Sequence, residues 1–163
     1  MKTSKHSPKT ILGIDPGYER LGVAIIENTQ KPSLIFSYCV RSKKGDEFIE
    51  RLFSITTELE KIIEKFKPEL ISIENLFVVK NQKTAMAVSE VRGVIKYLAR
   101  KNNIPIVEMT PPEIKLSITG YGHASKDAIY KMISKIFVLP KKGILDDEID
   151  AMAIAIAGSF KKI

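Results

Sequence analysis

A single cysteine, Cys39, in a chain of 163 residues excludes an internal disulfide. Its apolar, strand-like surroundings read as a buried structural thiol in a reducing compartment. No apolar run approaches the roughly 18–20 residues that a bilayer span requires, so the chain is not expected to cross a membrane. Met1 to Thr10 is polar and lysine-rich with no apolar stretch, so a secretory signal is not expected either. Internal repeats, low-complexity tracts and any clustering of His with Cys are also missing. With 44% hydrophobic and 28% charged residues, disorder throughout is excluded. The length suits one domain, residues 11–163, behind a flexible basic arm of residues 1–10. A cytoplasmic location is expected.

Charge is unevenly spread. Residues 1–74 carry 12 Lys and Arg against 11 Asp and Glu, whereas residues 75–145 carry 12 against 4, a net of +8. Residues 146–163 carry 2 against 4, so the last segment is net acidic at −2. A basic stretch beside a short acidic cluster suits a polyanion held next to a metal site. Solubilising lysines on helix surfaces would give the same count.

Hydrophobic periodicity supplies the elements. Ile11–Asp15 and Leu21–Glu27 read as a hairpin around Pro16-Gly17, and Ser33–Val40 as a third strand. Asp46 can cap a helix carrying Ile49, Leu52, Phe53, Thr56, Leu59, Ile63 and Phe66, which Pro68 ends. Glu69–Glu74 has the character of a buried strand, Thr84–Asn102 of a second amphipathic helix, and Ile104–Met109 of a fifth strand. Pro111-Pro112 opens a short helix ending near Thr119. Ser125 is an N-cap for a helix running to Phe137, and a last helix begins near Asp146. This order predicts an α/β fold, with a five-stranded mixed sheet between helices on both faces.

Four acids stand out by position. Asp15 ends the first strand and Glu74 the fourth, and Asp147 and Asp150 lie three apart at the head of the last helix, so they share a face. A carboxylate after a buried run is costly unless it is paired or metal-bound. The small residues after Asp150 (Ala151, Ala153, Ala155 and Ala157) let that helix sit close to a sheet and bring its acids to the strand ends. Converging carboxylates without softer ligands call for Mg²⁺ or Mn²⁺, and two such ions could hold a phosphodiester. Each acid has a plainer role: helix-dipole partner for Asp146, Asp147 and Glu148, turn residue for Asp15, solvated terminus for Glu74. It is the joint pattern that favours a site.

Gly13-x-Asp15-x-Gly17 also resembles the phosphate turn of sugar kinases and actin-like ATPases, which usually need two such lobes and far more residues. No Gly-Lys-Ser/Thr follows, so it is not a Walker A loop. Together with Ile-Glu-Asn-Leu-Phe (73–77), Lys-Asn (80–81), Val-Arg-Gly (91–93), Gly-Tyr-Gly-His-Ala-Ser-Lys (120–126) and Asp-Glu-Ile-Asp-Ala-Met-Ala-Ile-Ala (147–155), Gly-Ile-Asp-Pro-Gly (13–17) resembles the RuvC family of Holliday-junction resolvases. That family belongs to the ribonuclease H-like superfamily.

The resemblance implies a ribonuclease H-like fold and a homodimer that nicks two strands of a four-way DNA junction symmetrically, leaving 5′-phosphate and 3′-hydroxyl ends. It implies Asp15, Glu74, Asp147 and Asp150 as catalytic ligands for two Mg²⁺ ions, for which Mn²⁺ can substitute. By the same likeness Phe77 contacts bases near the cut, Lys115 and Lys126 lie near the scissile phosphate, and Lys126 is catalytic. Branch-migration proteins RuvA and RuvB would be partners. Lys80 and Arg92 join the DNA-binding candidates. Arg92 could serve DNA or dimer packing, Phe77 could belong to the core, and either lysine could be plain surface charge. His123 has no assigned role, and Asp146 doubles the acid before Asp147. A related small nuclease of ribosomal-RNA maturation shares the Asp-x-Gly opening but is usually shorter, and the 74–77 and 115–126 segments argue against it. A catalytically silent junction binder would have no need of four intact acids.

Overall fold

The computed structural model describes residues 8–75, 82–139 and 143–161. Thr10–Asp15 (β1) and Arg20–Glu27 (β2) form the expected hairpin, and Ser33–Arg41 (β3) extends it. Phe48–Phe66 (α1), Leu70–Glu74 (β4), Gln82–Lys101 (α2) and Ile106–Met109 (β5) alternate next. Pro111–Thr119 (α3), Lys126–Ile136 (α4) and Asp146–Ser159 (α5) follow. The sheet has the order β3-β2-β1-β4-β5, with β1 antiparallel to β2 but parallel to β4, and β4 parallel to β5. It is the mixed five-stranded sheet the element order predicts.

Strand alternation divides the core into two layers. Leu12, Ile14, Ile71 and Ile73 face α1 and α2, meeting Ile55, Leu59, Val91 and Ile95. Ile11, Ala24 and Leu70 face the other way, toward Ile114 of α3, Ile129 and Ile133 of α4 and Met152 of α5. The same alternation sends Gly13, Asp15, Ser72 and Glu74 to the α5 side.

Helix α5 lies almost on the sheet backbone. A Cβ on Gly22 would come within 2.0 Å of the Asp147 carbonyl oxygen, and one on Gly13 within 2.1 Å of that of Ala151. Ser72 Oγ donates to the Ile154 carbonyl at 2.8 Å, fixing the helix over β4. The helix therefore crosses from β2 over β1 to β4, and its buried run from Ala151 to Gly158 is mostly alanine and isoleucine. Only small residues permit such an approach.

Several local expectations change. Asp46 does not cap α1: Glu47 holds that position without a side-chain bond, and Asp46 lies 3.6 Å from Lys43 instead. Ile49 and Phe53 face solvent, because α1 buries Ile55, Leu59, Ile62 and Ile63. Strand β5 starts at Ile106, since Pro105 has no N–H to give the ladder and contributes only its carbonyl, to Ile71. The arm also ends earlier than expected. Pro8 and Lys9 are tied to the fold through Asn28 and Glu69, and Thr10 already belongs to β1. Cys39 is buried, as its neighbours imply.

Gly13→Ala and Gly22→Ala should each destabilise the protein by about 3 kcal/mol or more, because backbone rather than a flexible side chain must move. Urea unfolding midpoints test this, and wild-type midpoints would mean that α5 does not sit this close.

Candidate active site

The register of β1 and β4 builds the site's floor. Ile14 pairs with Ile73 in the parallel ladder, so the next residues, Asp15 and Glu74, leave the sheet side by side at its carboxyl edge. That edge, where the chain turns away on either side, is the usual ligand crevice of an open α/β sheet. Helix α5 covers it, and Asp150 in its second turn joins the two strand acids. A cavity of about 360 Å³ results, lined by Asp15, Glu74 and Asp150 together with Lys115 of α3, Lys126 of α4 and apolar Ile114, Ile129 and Ile154.

Asp147 stands beside this cavity rather than in its wall. Its carboxylate accepts from Arg20, at the start of β2, and lies 3.7 Å from the Cys39 thiol. Lys126 Nζ lies 3.5 Å from Asp150 Oδ2. Two of the four acids are thus engaged by side-chain cations. Glu148, the residue after Asp147, accepts from Ser37 Oγ at 2.6 Å and from the Leu145 N–H at 3.2 Å, which anchors the head of α5.

Crowding of like charge is the dominant electrostatic feature. Burial, reinforced by the charges of Asp150, Glu74 and Asp147, pushes the Asp15 carboxyl up to about 7. Glu74 is raised chiefly by burial and then by Asp150, against the opposing pull of Lys126, Arg92 and Lys115. Asp150 is raised by burial despite Lys126. Lys126 is itself held above its ordinary value, first by Asp150.

This donor set fits a hard divalent cation. It offers carboxylate oxygens carrying more negative charge than the resident lysines balance. Among the described residues, no three Asp, Glu, His or Cys side chains stand close enough to grip one ion together. A divalent ion here has to compete with Arg20 for Asp147 and with Lys126 for Asp150.

The other candidates distribute as follows. Lys115 and Lys126 face the cavity from two helices. Arg92 does not reach outward. It is 7% exposed, donates to Asn75 Oδ1 at 2.9 Å and pairs with Glu108, which also meets Lys96 at 2.6 Å. Its guanidinium is thus committed inward, to Asn75, the residue after Glu74, and to Glu108. Phe77 and Lys80 lie outside the described residues. Asp146 lines a smaller neighbouring cavity of about 180 Å³ with Asp127, Tyr130 and Ile149, sharing Lys126 and Asp150 with the larger one. Sequence reasoning missed Arg20; its signal was a lone cation opening the strand that pairs with β1.

A carboxyl whose folded pKa exceeds its unfolded value adds stability fully present below the unfolded value and lost as pH rises through the folded one. Metal-free protein should therefore lose stability between about pH 4 and 7, the range set by the raised Asp15. Asp15→Asn should remove much of that loss and be the more stable form at pH 8, by no more than about 4 kcal/mol at about 1.4 kcal/mol per unit. Urea unfolding in EDTA across this range decides it; a variant less stable than wild type at pH 8 would contradict the crowding.

The family model for crossover junction endodeoxyribonuclease RuvC matches residues 11–158, from β1 into α5. The chain is 40% identical to the crossover junction endodeoxyribonuclease RuvC of Petrotoga mobilis over 154 residues, covering 93% of this chain and 94% of that protein. It is 43% identical to the enzyme of the same name from Brachyspira hyodysenteriae over 147 residues, covering 90% and 91%. The solved structure of T. thermophilus RuvC in complex with a Holliday junction substrate superposes with a TM-score of 0.87 at 25% identity, covering 93% of each chain. The sheet order and flanking helices are those of the ribonuclease H-like fold, and the chain belongs to the RuvC family.

Proposed function

We propose that this protein is a crossover junction endodeoxyribonuclease that resolves Holliday junctions by paired symmetric nicks, serving homologous recombination and DNA repair in the cytoplasm. Residues 11–163 act as one nuclease domain. The observation that carries the reading is the cavity at the strand ends, where three carboxylates meet two lysines in a chain so similar to a junction-bound relative.

Asp15, Glu74, Asp147 and Asp150 are the residues that would hold Mg²⁺, two ions per site, with Mn²⁺ able to substitute. Bound there, divalent ions supply Lewis-acid stabilisation of the phosphate and lower the pKa of a nearby water. The remaining work belongs to the chain. Lys115 draws the DNA backbone to the cavity mouth, with the salt-dependent affinity typical of phosphate contacts. Lys126 releases Asp150 and balances charge gathering on the scissile phosphate. Water adds to phosphorus and the bond to the 3′ oxygen breaks; that oxygen takes the proton, leaving a 3′-hydroxyl and a 5′-phosphate. Arg92 holds Asn75, the residue after Glu74, and so the orientation of that acid; Phe77 and Lys80 contact DNA in this reading.

Two nicks require two sites, hence a homodimer. Support comes from α2, where exposed Met86 and Tyr97 flank Gly93, whose missing side chain meets open space. A glycine inside a helix costs roughly 0.5–1 kcal/mol, and here it leaves a smooth stripe that a second copy could approach. RuvA and RuvB would act on the same junction. Tyr97→Glu should shift the protein to monomers in sedimentation and uncouple the two nicks; an unchanged dimer would move the contact elsewhere.

The direct test incubates the protein with a labelled four-way junction, a matched duplex and a structured RNA, in Mg²⁺ or EDTA. Paired nicks in the junction alone, lost in EDTA, are expected. Asp15→Asn should lower nicking by at least roughly 10²-fold while keeping junction binding. Full activity of that variant, or cleavage of RNA in place of the junction, overturns the reading.

A further inference from the structure

The connection from Gly120 to Ser125, between α3 and α4, has no task in the reaction above. Both ends are fixed. Gly120 closes α3 with φ of 78°, and Ser125 Oγ caps α4 by accepting the Ala128 N–H at 3.2 Å. The interior is equally held. Tyr121 N–H donates to Thr119 Oγ1 at 3.1 Å, and the Tyr121 carbonyl accepts from both Thr119 Oγ1 and the Ala124 N–H, each at 3.1 Å. Gly122 packs against Pro112, where a Cβ would sit 3.5 Å from the carbonyl oxygen. That contact sets the connection beside Pro111, which lines the acidic cavity, while its far end leads directly into Lys126.

On this hydrogen-bonded connection stand two exposed rings. Tyr121 is 62% exposed, and its centroid lies 5.7 Å from that of His123 with the planes inclined at 63°, an edge-to-face pair. Such a pair orients the tyrosine without burying it, so the arrangement contributes little to folding. What it does provide is a pre-ordered aromatic face on the connection that joins the helix carrying Lys115 to the one that begins with Lys126. Every nucleobase has a π-face, so stacking of this kind tolerates any sequence.

We propose that Tyr121, braced by His123, is a stacking platform for an unpaired nucleobase of the DNA strand crossing the cavity rim. The proposal rests on the nuclease reading above, and assigns that site a base contact beyond the one expected of Phe77. A strand gripped by phosphate at Lys115 and Lys126 would have its neighbouring base laid on the ring, which orders the nucleotide next to the cut.

The test compares Tyr121→Phe, Tyr121→Leu and Tyr121→Ala with wild type on the Mg²⁺-loaded protein. One readout is nicking kinetics on a junction; the other is fluorescence of 2-aminopurine placed next to the scissile phosphate. Because the side chain is exposed, urea unfolding should not change. Leu and Ala should raise KM by roughly 5- to 50-fold with little change in kcat, and should lose the fluorescence quenching that wild type and Phe retain. His123→Ala should give a smaller loss of the same kind. If an active wild type is matched by all the Tyr121 variants in KM and quenching, the platform is refuted; a ring that serves a protein partner would give that result. A wild type that never nicks the junction removes the parent reading, and this one with it.

Discussion

The site depends on how closely α5 lies against the sheet. At Gly13 and Gly22 the backbone of α5 presses directly on strand backbone. Those two glycines face the helix because strand alternation points them that way. The alanines of α5 answer them from above, and buried Ser72 spends its hydroxyl on a helix carbonyl rather than on solvent. With larger residues at these points the helix would stand farther off, and its acids would no longer share a crevice with Asp15 and Glu74. Packing geometry, more than local propensity, makes four carboxylates into one electrostatic unit.

That unit is unfavourable by itself, and its surroundings show how the cost is contained. Asp15 is raised most because it lies deepest among the acids, whereas Asp147 and Asp150 each meet a cation. Arg20 and Lys126 come from different elements, one opening β2 and the other opening α4. Neither is buried, so neither ion pair is a strong one.

Much of this was legible in the sequence, and for definite reasons. Asp15 and Glu74 announced themselves by ending apolar runs, and the alanine-rich stretch after Asp150 signalled a helix pressed on a sheet. The N-cap at Ser125 was readable because its hydroxyl precedes a periodic helix. Harder to see were features set by three-dimensional partners. Arg92 sits in a basic stretch and looks like a DNA contact, yet Glu108 and Asn75 draw it inward, and neither residue advertises that pairing from its own position. Ile49 and Phe53 fit the helical period of α1 but fall on its open side, since period alone does not say which stripe the sheet selects. Arg20 was overlooked because a single cation in a hairpin carries no motif.

The two faces of the sheet divide the labour. The α1–α2 face is a conventional apolar layer, and buried Arg92 reaches past it to Asn75, the residue after Glu74. Through that link the rigid layer fixes one of the acids from behind. The opposite face carries α3, α4 and α5, whose apolar sides build the second core while the helices and the α3–α4 connection also hold Lys115, Lys126, Asp150 and the Tyr121–His123 pair. Acids must be held rigidly, because like charges separate if allowed to, and strand ends beneath a close-packed helix provide that. Lys126, 3.5 Å from Asp150, stands instead at the exposed start of α4, where its side chain keeps its freedom. Asp15 and Glu74 at their strand ends are therefore fixed, while the cation that answers Asp150 is not.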